Sequence, residues 1–148
     1  MTLEISEEHI FLNIYVINKK DALKKIAEFA ETAGVVTSKK AYYKGLLQRE
    51  KEVTTGFGNG FSIPHAKLKE VVKPAIFIVK FTNGIDWKAL DRQQVNVAIA
   101  LAIPERDAEV EHLKLLSQIS RRLMHDDFCD QLMRSTTKQE IIDLFKTV

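Results

Sequence analysis

Apolar positions along this chain change period several times, and each change predicts an element. Ile10 to Val16 is a short run rich in β-branched and aromatic residues, which predicts a strand. From Lys20 to Ala33 the apolar residues fall at Leu23, Ile26, Ala27, Ala30 and Ala33, the spacing of one helical face, and Gly34 is a natural stop. A second helix is expected from Thr37 or Ser38, either of which is placed to cap it, to about Glu50. The pattern then breaks. Val53 to His65 carries Gly56, Gly58 and Gly60 and ends in Pro64-His65, so no helix fits. Ala75 to Phe81 and Val95 to Ile103 are nearly continuous apolar runs, as expected of strands covered on both faces. Asn83-Gly84 between them marks a turn.

The remainder reads as helical. After a polar loop from Pro104 to Glu109, Leu113, Leu116, Ile119, Ser120 and Leu123 form one helical face. Asp126 is placed to cap a short helix holding Phe128, Leu132 and Met133. Thr137 and Glu140 have capping-box spacing ahead of Ile141, Ile142, Leu144 and Phe145. Cys129, Met124 and Met133 read as packing residues. The order of elements predicts an α/β fold, a single domain over residues 1–148 with a mixed β-sheet flanked by helices on both faces.

Composition narrows the classes. A chain of 148 residues, 45% of them hydrophobic, has room for one full core. Its 22 Lys and Arg against 20 Asp and Glu leave a net charge of +2, too small and too mixed for a nucleic-acid partner. The longest clean apolar run, Val97 to Ile103, is far short of the roughly 20 residues a membrane helix needs, so no membrane insertion is expected. Glu4, Glu7 and Glu8 stand where a signal peptide would carry cations. A soluble, cytoplasmic protein is the expectation. The lone Cys129 allows no internal disulfide and suggests no zinc site.

The segment with chemical content is Thr54 to His65. Pro64 fixes one dihedral and pushes Ile63 toward an extended backbone, so His65 can be held rigidly. Gly56, Gly58 and Gly60 would let backbone N–H groups approach an anion, which makes Thr55, Gly56, Gly58, Gly60 and Pro64 candidates for a phosphate loop. The spacing is neither that of a dinucleotide fingerprint nor that of a P-loop. A neutral imidazole is a nucleophile whose tautomer is set by the bond its other nitrogen makes. An incoming phosphoryl group wants N–H donors and a cation. Arg49, at the end of the second helix, offers a guanidinium. His112, just inside the start of a helix, sits where the helix N-terminus favours a neutral imidazole. Two readings stand for His112, a phosphoryl ligand or a packed histidine on the stripe of Leu116 and Ile119. Arg49 could equally serve only the C-terminal end of its own helix.

The stretch from Thr55 to His65, Thr-Gly-Phe-Gly-Asn-Gly-Phe-Ser-Ile-Pro-His, resembles the active-site signature of the fructose/mannitol-type IIA components of the bacterial phosphoenolpyruvate-dependent sugar phosphotransferase system. Further likenesses are Gln48-Arg49-Glu50, Asn83 to Trp87 with Leu90-Asp91, Ala102-Ile103-Pro104, Glu111-His112-Leu113, and the helix from Leu116 to Met124. Together they span roughly residues 5 to 146. The resemblance implies a phosphocarrier, with His65 phosphorylated, His112 as second active-site histidine and Arg49 holding the phosphoryl group. It implies a phospho-HPr donor, a IIB acceptor domain or protein, and no cofactor. Ala66-Lys67 after His65 looks fructose-like, whereas Arg92 after Asp91 departs from the Gly of many members. Without a IIB, IIC or membrane segment, the chain reads as a free-standing IIA protein or an excised domain.

Two other readings remain. Nitrogen-type IIA proteins resemble the same family and signal through their phosphorylation state. A metal-dependent hydrolase built on His65, His112 and Glu109 or Glu111 would need a ligand cluster such as H-E-x-x-H, which the sequence lacks.

Overall fold

A computed structural model describes residues 5–146, and the side chains of all of these except 107–112. Its frame is one mixed sheet of six strands: β1 (Ile10–Ile14), β2 (Gly56–Gly58), β3 (Phe61–Ser62), β4 (His65–Leu68), β5 (Ala75–Ile85) and β6 (Val95–Pro104). The order across it is β1-β5-β6-β3-β2, with β4 also paired to β6. β5 and β6 run antiparallel, whereas β1 joins β5 and both β3 and β4 join β6 in parallel.

The continuous apolar runs have the cause expected of them: each face of β5 and β6 is buried under helices. Helices α1 (Lys19–Thr32) and α2 (Lys39–Glu52) cover one face. There Leu23, Ile26, Tyr42 and Leu46 pack with Phe77, Val79, Ala98 and Ala100. Helices α3 (Ala108–Leu123), α4 (Asp126–Arg134) and α5 (Lys138–Lys146) cover the other. There Ile119, Leu132, Ile141 and Phe145 pack with Ile78, Val97, Ile99 and Leu101. Alternation along β6 sends neighbouring residues into different cores, the period-two rule acting inside a buried strand. The expected class, a mixed sheet flanked by helices on both faces, is what the chain forms.

Local signals hold at several ends. Ser38 caps α2, its hydroxyl accepting from the N–H of Ala41 at 3.1 Å. α1 ends at Gly34 in a Schellman arrangement, with Val35 N–H donating to Ala30 O at 3.0 Å. Thr137 and Glu140 form the capping box reciprocally, at 3.1 and 3.2 Å.

Three expectations are corrected. Asn83-Gly84 is no turn: β5 runs through it to Ile85, and pairing slips between Lys80 opposite Val97 and Ile85 opposite Val95. Gly84 is there because the Gln94 side chain crosses its Cα. The reversal comes later, where Lys88 and Arg92 take φ of 61° and 62° and the carboxylates of Asp86 and Asp91 accept the N–H groups of Lys88 and Gln93. His125, not Asp126, is the N-cap of α4, and it makes no side-chain cap bond. Asp126 and Asp127 instead fill the first turn, where negative charge suits the helix dipole. Met124 is no core filler, since the last turn of α3 leaves it 76% exposed.

Candidate active site

His65 opens β4 opposite Leu101 of β6, and the strand pairing extends to Pro64, whose carbonyl accepts Leu101 N–H at 2.9 Å. Leu101 O accepts the Tyr42 hydroxyl of α2 at 2.8 Å. The imidazole is buried, at 7% exposure. Its Nδ1 lies 2.7 Å from the carbonyl oxygen of Ile63. A carbonyl only accepts, so Nδ1 carries the proton and the neutral ring holds its lone pair on Nε2. Arg49 Nε donates to that Nε2 at 3.0 Å, and Arg49 Nη1 donates to Val53 O at 2.8 Å. The guanidinium therefore stands at the unprotonated ring nitrogen, tethered to the end of its own helix.

The residue after Arg49 faces a different set of partners. Glu50 Oε1 accepts the N–H of Thr55 at 3.1 Å and pairs with Lys19 Nζ at 2.7 Å, while Glu50 Oε2 accepts the Thr55 hydroxyl. That hydroxyl in turn accepts the indole N–H of the fully buried Trp87 at 3.1 Å. Thr54 Oγ1 donates to Trp87 O at 3.0 Å and accepts Gly56 N–H at 3.1 Å.

The glycine segment is a small hairpin of β2 and β3 with a defined shape. Gly58 and Gly60 take φ of 122° and 92°, backbone that other residues rarely adopt. A Cβ on Gly56 would stand 2.7 Å from that of Ala89, so only glycine lets this strand lie against the 86–94 loop. Asp91 holds the tip by accepting Asn59 N–H at 2.9 Å. The N–H donors of Asn59 and Gln93 hold the Asp91 carboxyl below the usual carboxylate range. The N–H groups of Thr55, Gly56 and Asn59 are thus taken by Glu50, Thr54 and Asp91. These bonds fix the loop that leads to Pro64 and His65.

The structure brings together His65, Arg49, Thr55, Gly56 and Pro64. His112 falls in the second turn of α3 by its position in the chain. Its side chain lies outside the described residues, as do those of Glu109 and Glu111. Sequence reasoning missed Lys19, Thr54 and Trp87. A lysine at the first position of a helix has the wrong sign for the dipole, and a tryptophan in a polar loop needs a partner for its N–H. Both were signals.

A family model described as "Phosphoenolpyruvate-dependent sugar phosphotransferase system, EIIA 2" matches residues 4–148. The chain belongs to this family. It is 36% identical over 130 residues to the "PTS system fructose-specific EIIA component" of Haloferax volcanii, covering 88% of this chain and 84% of that one. It is also 36% identical over 138 residues to the "Nitrogen regulatory protein" of Bradyrhizobium diazoefficiens, covering 93% and 88%. Among solved structures, nitrogen regulatory protein IIA-Ntr of Neisseria meningitidis superposes with a TM-score of 0.88 at 25% identity, covering 95% of each chain. The EIIA family transfers phosphoryl groups within the sugar phosphotransferase system, with HPr as donor and IIB as acceptor. No helix among the described residues is long and apolar enough to cross a membrane.

Proposed function

We propose that this chain is a phosphocarrier that takes a phosphoryl group from phospho-HPr onto Nε2 of His65 and passes it to a IIB acceptor for sugar uptake. The observation that carries this reading is the double fixation of one imidazole, with Nδ1–H on Ile63 O and Nε2 facing Arg49. In the transfer, the Nε2 lone pair attacks phosphorus in line. The P–N bond of the donor breaks, and its electron pair stays on the donor imidazole. Arg49 Nε–H, freed from Nε2, donates to a phosphoryl oxygen, as a charge-assisted bond suited to a guanidinium. Nδ1–H remains on Ile63 O throughout. Positioning and electrostatics suffice for such a step, with no cofactor. His112, as second histidine, would donate one hydrogen bond to the phosphoryl group.

A fructose-like pathway is favoured by Ala66-Lys67 and by the fructose-specific relative. The regulatory reading has its own support in the equally similar nitrogen regulatory relative. The test is phosphotransfer from phosphoenolpyruvate through enzyme I and HPr, with mass mapping of the acid-labile phosphate. Phosphate on His65, and none in a folded His65→Ala variant, is expected. Labelling retained in that variant would remove His65 from the role. Onward transfer to a fructose-type IIB separates the two readings, since a purely regulatory protein would keep its phosphate.

A further inference from the structure

Lys19 starts α1, where a positive charge opposes the helix dipole. Its ammonium leaves that helix end and crosses to two other elements. It lies 2.7 Å from Glu50 Oε1 in the last turn of α2 and donates to Trp87 O at 3.0 Å in the loop after β5. It also stands 5.7 Å from the centre of the Trp87 ring, within cation–π range. The Glu50 side chain is only 6% exposed, and a buried carboxylate stays ionised at low cost only with a counter-charge and full hydrogen bonding.

From Glu50 the contacts run to both groups that hold His65. Arg49 is its neighbour in the chain, so fixing the Glu50 side chain fixes the turn from which Arg49 reaches Nε2. On the other side Glu50 holds Thr55 by N–H and hydroxyl, and Thr55 O accepts Ile63 N–H at 2.9 Å. Ile63 O is the acceptor of His65 Nδ1–H. One carboxylate thus anchors the Ile63 and Arg49 hydrogen bonds of the imidazole, and Lys19 is the cation that holds it.

We infer that Lys19 is a positioning residue for phosphoryl transfer, acting through Glu50 to fix the tautomer and aim of His65. The inference rests on the proposed phosphocarrier reading for its rate effect, but not for its effect on the imidazole. In Lys19→Met the stem remains and the charge goes, so Glu50 is left to find other partners and the end of α2 loosens from Thr55.

The experiment has two readouts on folded protein, checked by amide spectra. Imidazole nitrogen NMR on the native chain should show His65 protonated at Nδ1 alone. In Lys19→Met a mixture of tautomers is expected, and rapid-quench transfer from phospho-HPr should slow at least tenfold at saturating donor with KM little changed. Lys19→Arg should restore most of both, since it keeps the charge. Lys19→Met combined with Glu50→Gln should recover part of the loss, because no bare carboxylate remains. A folded Lys19→Met with the native tautomer and the native rate overturns the inference. So does loss of both that Lys19→Arg fails to restore. Should Lys19→Met not fold, the double variant carries the same comparison. A native chain that accepts no phosphoryl group sinks the functional reading alone, and the tautomer then decides for or against Lys19.

Discussion

An arginine that donates to a nucleophilic nitrogen must let go when that nitrogen bonds to phosphorus. Arg49 is placed for this exchange, because Nε faces His65 while Nη1 stays on Val53 O. The tether keeps the guanidinium near when its Nε partner changes. Lysine at this position would keep the charge but lose the fork, having one nitrogen for two tasks. Arg49→Lys should therefore give a phosphoprotein that forms but hydrolyses faster. A charge-assisted bond worth about 1.5–3 kcal/mol corresponds to a rate increase of about 10- to 150-fold. The lifetime of the acid-labile phosphate at neutral pH measures it, and an unchanged lifetime would remove Arg49 from the phosphoryl group. His65 and Arg49 were legible because a Pro-His junction after glycines and an arginine at a helix end are local features. That Lys19, Glu50, Thr55 and Trp87 join was not legible, since they come from four segments and meet only through tertiary folding.

At the scale of elements, the close seat of α2 on β4 decides where the imidazole sits. Gly45 makes that seat possible, because a Cβ there would stand 3.0 Å from Ala66 Cβ and 3.2 Å from both Leu68 methyls. Two effects oppose each other in Gly45→Ala. Helix propensity gains about 1 kcal/mol, whereas overpacking costs about 1–3 kcal/mol. Ala66 is backbone-anchored in a parallel strand and has no rotamer to yield, so overpacking should win. Urea unfolding is expected to show a net loss of about 1 kcal/mol, with slower phosphoryl acceptance because β4 begins at His65. A more stable variant would mean that the seat has slack. The same scale explains what could be read beforehand. Helices with a periodic face or a recognisable end, α1 with its stripe and Gly34 and α2 with its Ser38 cap, lie close to their expected bounds. The Asn83-Gly84 reading failed because a turn dipeptide and a cross-strand close approach both select glycine, and only the position of Gln94 tells them apart.

For the whole molecule, the sheet separates two cores, and the site stands between them, with Ile63 in one core and Ala66 in the other. His65 is buried at the start of β4, and Arg49 reaches it from the last turn of α2. Close-packed cores resist small displacements, so a charge added at His65 is expected to leave both of them in place. On the proposed reading, a phosphoryl group on His65 asks only that the Nε end of Arg49 be redirected. Amide shift changes on phosphorylation should therefore centre on Arg49, Val53, the hairpin from Thr55 to Ile63 and the first turns of α3. Residues of α5, which packs on β1, and of α4, which packs on α5 and on α3, should stay nearly unchanged. Changes of equal size in α4 and α5 would contradict this, and would show that phosphorylation repacks the core they share. The outcome bears on both functional readings. A local change offers any partner that senses phosphorylation one surface, around His65 and the exposed Val53 whose carbonyl holds Arg49, and that is also the surface a phosphoryl acceptor must approach. Transport and regulation would then compete for the same face, and occupancy by one partner should block the other.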